Sequence, residues 1–165
     1  MKFFFRSLLM SVAVLFSFNL SAIDVYWISG SGSWAEPSNW SIGKIPTGGE
    51  YKVFVTNDTP VTVEIPSSSW CVGAIAFSGA DHKITGNGSL CFEKGENDPV
   101  IHVDEDITVE VNGLRPWTGD RTMNLVKQGS GTLTTLKAVG EPSARFSVLD
   151  VAGGILQLAD RKSVV

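Results

Sequence analysis

The stretch LCFEKGENDPVIHVDEDITVEV, residues 90–111, decides the fold. It contains three short β-prone runs, Leu90–Phe92, Val100–Val103 and Ile107–Val111, with polar residues between them. In the last run apolar and polar residues alternate, which directs them to opposite faces of a strand. These runs are shorter than the roughly five or six residues typical of strands in a β-sandwich. Three such runs with their corners therefore fit one coil of a parallel β-solenoid.

The same pattern continues along the chain, and no convincing amphipathic helix follows Ala22. We expect three further runs, Val61–Ile65, Ala74–Phe77 and Lys83–Thr85, to form the preceding coil. Glycine-rich segments between the runs supply the positive φ that tight corners need. The sequence therefore predicts an all-β fold, a short right-handed parallel β-helix, with a β-sandwich as the alternative. The remaining runs are Val53–Thr56, Thr132–Leu136, Val148–Val151 and Ile155–Leu158.

The first 22 residues have a composition of their own. Lys2 and Arg6 precede the apolar stretch Ser7–Phe18, and the segment ends in Ser21 and Ala22. This order is typical of a secretory signal peptide. The apolar stretch is shorter than the roughly 20 residues of a membrane-spanning helix, although an uncleaved anchor is an alternative. We expect cleavage after Ala22, a mature chain that does not span the membrane, and a location outside the cell or on a bacterial surface.

The remaining chain is acidic. Without Lys2 and Arg6, 11 of the 13 basic residues stand against 17 acidic ones, a net charge of −6. Binding to nucleic acid needs a basic footprint, and so does attachment to an anionic membrane. The charge balance therefore argues against both kinds of partner.

Two segments near the C-terminus resemble the autotransporter-associated β-strand repeat. They are LVKQGSGTLT at residues 125–134 and VAGGILQL at residues 151–158. The opening WISGSGSW of residues 27–34 is similar to the start of many secreted proteins that carry this repeat. The resemblance implies a passenger-type β-helix, exported to the surface, with a structural or adhesive role. The chain then divides into a signal peptide (1–22), a tryptophan-rich N-terminal cap (23–50) and β-helix coils (51–165), with the repeat at 125–158.

The C-terminal end raises a further expectation. The chain ends seven residues after Leu158, and those residues show neither a capping segment nor a membrane barrel. An uncapped coil leaves strand edges that can pair with another chain. We expect either a fragment of a longer autotransporter-like protein or end-to-end association through this coil.

Trp27, Trp34 and Trp40 lie within fourteen residues, among serines and glycines. We favour a cap in which their large side chains cover the open end of the first coil. The alternative is a surface site where the rings stack on sugars, which would make the protein a small secreted carbohydrate-binding module. The expected partners are accordingly surface glycans or other host or cell-surface molecules.

Cys71 and Cys91 are the only cysteines, separated by 20 residues, which is near the length of one coil. An oxidising compartment permits a disulfide between them. Leu90 and Phe92 are predicted to face inward, however, which would turn Cys91 outward. We therefore favour two unpaired thiols over a bond.

No catalytic or metal-binding motif is recognisable. Asp104, Glu105 and Asp106 form an acidic turn that lacks the spacing of a Ca²⁺ loop, and we interpret them as solvated charges. His82 and His102 are isolated, as surface or hydrogen-bonded strand residues would be. We expect a non-enzymatic protein without metal or cofactor. A polysaccharide-degrading β-helix whose catalytic part lies elsewhere is a further alternative.

Overall fold

The structure, a computed structural model, describes residues 22–67, 70–117, 123–136 and 146–158. These residues form β-strands and one short 3₁₀-helix, Pro37–Asn39. The strands are β1 (Ile23–Tyr26), β2 (Gly32–Ser33), β3 (Gly48–Val55), β4 (Thr62–Glu64), β5 (Cys71–Phe77), β6 (His82–Thr85), β7 (Leu90–Phe92), β8 (Val100–Val103), β9 (Thr108–Val111), β10 (Leu114–Pro116), β11 (Asn124–Gln128), β12 (Thr132–Thr135), β13 (Val148–Val151) and β14 (Ile155–Leu158).

The strands assemble into two sheets, and all of the strand pairs are parallel. The first sheet has the order β1-β3-β5-β8-β11-β13; in addition, β7 pairs with the start of β5, and β10 pairs with β7. The second has the order β2-β4-β6-β9-β12-β14. The chain passes from one sheet to the other and returns one position further along, which makes a β-solenoid of about 5 turns. The predicted parallel solenoid is confirmed, and the sandwich alternative, which requires antiparallel hairpins, is wrong.

Equivalent residues of successive coils stack in register along the interior. In the first sheet Val53 pairs with Ile75, Ile75 with Ile101, and Ile101 with Lys127, at intervals of 22 to 26 residues. All four side chains are buried. Branched side chains suit such a stack because they pack closely on the pleated surface of a neighbouring strand. Each coil thus buries its apolar residues on the next, which is the main source of stability in a solenoid.

The coil predicted from residues 90–111 is confirmed as β7, β8 and β9. The preceding coil was predicted wrongly, because Val61–Ile65 does not share a coil with Lys83–Thr85. Thr62 pairs with Lys83, so the two segments are neighbours in the second sheet. The first segment of that coil is instead the start of β5, at Cys71. Gly73 separates it from the predicted run Ala74–Phe77. A Cβ at Gly73 would lie 2.0 Å from the carbonyl oxygen of Gly49, so the close approach of β3 and β5 requires glycine there.

The two ends of the described solenoid differ. At the first coil Val25 is fully buried, although β1 has a neighbouring strand on one side only. At the last described coil, β13 and β14 leave apolar side chains exposed, with Leu158 at 64%. The other exposed apolar side chains of these two strands are Val148, Val151 and Ile155. The first coil is therefore covered. In the last described coil Val151 and Leu158 are register partners of the buried Lys127 and Thr135, so this coil exposes side chains at positions that are interior one coil earlier.

Candidate functional site

The three clustered tryptophans are buried together at the first coil. Trp27, Trp34 and Trp40 are each at most 3% exposed. Their rings meet edge to face, with centroids 4.9 Å apart for Trp27 and Trp40 and 4.7 Å apart for Trp34 and Trp40. The indole nitrogen of Trp27 donates to the carbonyl of Gly30, and that of Trp40 to the carbonyl of Trp34, both at 2.8 Å. Edge-to-face packing is a favourable arrangement for aromatic rings.

The chain between these tryptophans folds back on the first coil. Trp27 and Trp40 form an antiparallel bridge, and the backbone amide of Ile28 donates to the carbonyl of Asn39 at 2.9 Å. The cluster thereby covers the end of the interior, in the position that the cap interpretation requires. The sugar-stacking interpretation of Trp27, Trp34 and Trp40 does not fit the structure, because a sugar needs an open ring face and these rings are enclosed.

Cys71 and Cys91 are joined by a disulfide bond. They are register partners in β5 and β7, with Cα atoms 4.2 Å apart. The favoured expectation of two free thiols is therefore wrong. The error lies in the assumption that β7 has one solvent face, since Leu90, Cys91 and Phe92 are all fully buried. Simple alternation does not assign the direction of a side chain in a strand that is covered on both faces.

Lys127 is a buried charge inside the repeat-like segment. Its Nζ atom donates to the carbonyls of Gly129 at 2.6 Å, Gly131 at 2.7 Å and Gly153 at 2.9 Å. The side chain is fully buried, and this burial lowers the pKa of Lys127 below the ordinary 10.5 because it disfavours the charged form. Lys127 thus joins the corner after β11 to the corner after β13, one coil further on. Lys127, Gly129 and Gly131 all lie in the repeat-like segment of residues 125–134, but the sequence does not indicate this contact.

The polar residues considered for metal or catalytic roles do not come together in one site. His82 is buried, and its Nε2 lies 2.9 Å from the carbonyl oxygen of Ser78, which makes it a hydrogen-bonded strand residue. The His102 Nε2 lies 2.8 Å from a carboxylate oxygen of Asp104, at the exposed turn. Among the residues with described positions, no three His, Cys, Asp or Glu side chains form a group that could hold a metal ion. No helix within those same residues is long and apolar enough to cross a membrane.

The outer face of the first sheet carries a groove that the sequence did not reveal. Along one row of register partners, Tyr26 is followed by Phe54, Ala76 and His102. The Tyr26 and Phe54 rings stack, with centroids 4.9 Å apart and planes inclined by 15°. The next row places Ala74 beside Ala76 on β5. Two small side chains between larger neighbours leave a trough, which is part of a groove of about 1320 Å³.

The segment between β7 and β8 closes one end of this groove. Lys94 and Asp98 form an ion pair at 2.9 Å, and Asn124 donates to the other carboxylate oxygen at 3.1 Å. The Lys94 ammonium and then the Asn124 amide hold the pKa of Asp98 below its usual value. A Cβ at Gly49 would lie 2.9 Å from the backbone of Lys94, so the segment packs closely on β3. These contacts give the groove a defined wall.

Comparisons with protein-family models, curated proteins and solved structures find no match. The fold and the arrangement of side chains are therefore the basis for a functional proposal.

Proposed function

We propose that this chain is an exported, non-enzymatic β-helical surface protein of the passenger type, with a structural or adhesive role. The observation that carries the proposal is the stacking of parallel strands into a solenoid of about 5 turns. Such a fold has an interior packed with side chains, and it presents long rows of side chains on its outer faces. Those rows are suited to contact with large molecules, and this geometry is compatible with a structural or adhesive role.

The repeat-like segments support the passenger assignment. Lys127, Gly129 and Gly131 carry the resemblance to the autotransporter-associated repeat, and all three take part in one hydrogen-bonded corner around the buried Lys127 side chain. The third acceptor, Gly153, belongs to the second repeat-like segment. The residues that define the motif are thus the residues that fasten one coil to the next. A motif that joins neighbouring coils in this way can recur in each coil of a longer solenoid.

Two observations support export. Residues 1–22 have the order of a secretory signal peptide, although residues 1–21 lie outside the described part of the structure. Cys71 and Cys91 form a disulfide, and disulfides persist mainly in oxidising compartments outside the cytoplasm. The proposal joins these two observations, since export would deliver the cysteines to a place where they stay bonded.

The last described coil supports a further part of the proposal, association through the C-terminal end. Its exposed apolar side chains and its unpaired strand edges are surface that another strand could cover. The partner would be a following coil of a longer protein or a second copy of this chain.

Export is tested by expressing the complete chain with a C-terminal epitope tag in a bacterium, beside a matched variant that lacks Ser7–Phe18. We expect the complete chain to reach the outside of the inner membrane, with a mature mass that begins at Ile23 and one disulfide. The deletion variant should stay in the cytoplasm with reduced cysteines. A complete chain that keeps Phe3 and remains in the cytoplasm would contradict the proposal.

A structural or adhesive role is tested on the surface-displayed protein. Cells that display the chain should bind glycan-coated or host-cell-coated surfaces, or aggregate with one another, more than cells that carry the deletion variant. Equal behaviour of the two strains would count against this role and leave the export result standing.

A further inference from the structure

We propose that the groove on the outer face of the first sheet binds a single chain of a neutral glycan, with a sugar ring over Ala74 and Ala76. The proposal goes beyond the surface role inferred above by naming a ligand class and a site. It concerns the purified protein and does not depend on where the protein resides.

The shape of the groove suits a single sugar chain. Phe54 lies on β3 and His102 on β8, each in register with Ala76 on the strand between them. Neighbouring strands are about 4.8 Å apart, so the two walls stand about 10 Å apart at the backbone. The alanine methyl groups form a low floor, and the trough follows the strand direction. A chain of linked rings can lie along such a trough with one ring on the floor.

Phe54 and Tyr26 supply an aromatic wall. Tyr26 is 44% exposed and Phe54 is half-buried, so this aromatic pair is open to solvent, unlike the enclosed tryptophans. Their stacking fixes the orientation of the Phe54 ring and covers one of its faces, and the Lys52 ammonium lies 4.9 Å from its centre. Phe54 is therefore a fixed wall beside the trough, and the more open ring of the pair is Tyr26. Sugar rings have flat faces of C–H groups that pack on such aromatic surfaces, while their hydroxyl groups point sideways to polar neighbours.

The charges around the groove favour a neutral ligand. The ammonium of Lys52 lies 4.9 Å from the centre of the Phe54 ring, so a cation on the aromatic wall would meet a like charge. Lys94 also lines the groove, together with five carboxylates that would repel a polyanion such as a polyuronate: Glu50, Glu93, Glu96, Asp98 and Asp104. Hydroxyl groups can both donate to these carboxylates and accept from Lys52. A hydroxyl-rich, uncharged chain meets all of these conditions.

The backbone of this face argues against an extended peptide. A peptide that adds to a sheet does so at an open strand edge, through backbone hydrogen bonds. The groove instead lies over β3, β5 and β8, and each of these strands is paired on both sides. The face therefore offers side chains alone, which suits recognition by ring stacking and side-chain hydrogen bonds.

The test is calorimetric titration of the purified protein with cellohexaose, maltohexaose and N-acetylchitohexaose as neutral probes. Hexagalacturonate and spermine serve as the anionic and cationic probes. We expect at least one neutral probe to bind more tightly than both charged probes. Ala76→Gln fills the trough without adding charge and should weaken that binding about tenfold or more, and Phe54→Ala should do the same.

The matched control is Thr85→Gln, which places the same side chain on the outer face of the second sheet and should leave binding unchanged. Thermal unfolding checks that each variant is folded, and Ala76→Gln decides the question if Phe54→Ala is unstable. Binding of no neutral probe at millimolar concentration would overturn the proposal. So would tighter binding of a charged probe, or equal binding by the wild type and Ala76→Gln.

Discussion

Replacing Lys127 with methionine removes the buried ammonium and keeps a flexible side chain of similar length. In the folded protein this ammonium donates hydrogen bonds to the carbonyls of Gly129, Gly131 and Gly153. The carbonyl of Gly131 also accepts from the backbone amide of Ile155 at 3.3 Å, so it keeps one partner in the variant. The loss therefore falls mainly on the other two carbonyls.

Two opposing effects set the size of the change. An unpaired buried carbonyl costs about 1–3 kcal/mol, and because the Gly129 and Gly153 carbonyls are only part-buried the two together cost roughly 2–4 kcal/mol. Against this, the buried ammonium carries a desolvation cost that methionine avoids, and the methionine side chain gains about 1–2 kcal/mol from burial. We expect the unpaired carbonyls to dominate and the free energy of unfolding to fall by about 1–2 kcal/mol.

Equilibrium unfolding in guanidinium chloride measures this change. The matched control is Lys83→Met, because Lys83 is exposed and its ion pair with Glu110 is long, at 3.6 Å. Exposed pairs of this kind contribute about 0–1 kcal/mol, so the control should stay close to the wild type. If Lys127→Met is as stable as the wild type, or more stable, the three hydrogen bonds do not outweigh the burial of the charge and the reasoning is refuted.

The same variant gives a pH dependence with a definite sign. Burial lowers the pKa of Lys127 in the folded protein below 10.5. Between that lowered value and 10.5 the unfolded chain binds more protons than the folded chain, so the stability contribution of Lys127 rises with pH. The difference in unfolding free energy between the wild type and Lys127→Met should therefore widen from neutral pH to about pH 10.5. A difference that narrows would contradict the assigned cause.

Three further predictions concern the disulfide, the groove wall and the exposed end. Replacing Cys71 and Cys91 together with alanine opens a loop with a sequence separation of 20 residues and should lower the free energy of unfolding by about 3 kcal/mol. The reduced wild type should match that variant in denaturant titrations, and an unchanged midpoint would exclude a stabilising bond. Because the pKa of Asp98 is lowered in the folded state, its contribution to stability is present above pH 3.8 and is lost as the pH falls through the lowered value. Asp98→Asn should accordingly make acid unfolding less steep below pH 3.8, and identical acid titrations of the two proteins would refute this. Leu158→Lys places a charge on the exposed last coil and should reduce self-association in sedimentation velocity. A wild type that stays monomeric at high concentration would show that this end does not pair with a second copy.

The solenoid was predictable because its strands carry a strong local pattern. Leu90–Phe92 and Val100–Val103 have the predicted bounds, since β-branched and aromatic residues stand between clear polar breaks. β10 (Leu114–Pro116) was missed because arginine and proline do not indicate a strand. Its pairing with β7 depends on tertiary contacts that local sequence does not contain.

The groove and the burial of Cys91 could not be predicted from any single segment of the sequence. The groove forms because Ala76 lies between Phe54 and His102, and those three residues are 22 and 26 positions apart along the chain. Aligning them requires the length of each coil, which varies with loops that have no regular pattern. The burial of Cys91 has a similar origin, because its partner Cys71 lies in β5, 20 residues away along the chain, and all three residues of β7 are buried. Alternation predicts which residues share a face of a strand, but it does not show what covers that face.

The contrast between the first and the last described coil bears on how copies of this chain would assemble through β13 and β14. The tryptophan cluster covers the interior at the first coil, whereas β13 and β14 leave apolar side chains open. Two copies that meet through equivalent open ends are related by a twofold axis, and each then presents its covered end to solvent. Such an assembly closes at two copies. A solenoid open at both ends could instead add copies without limit and form a fibre, so the tryptophan cluster would set the difference between a dimer and a polymer.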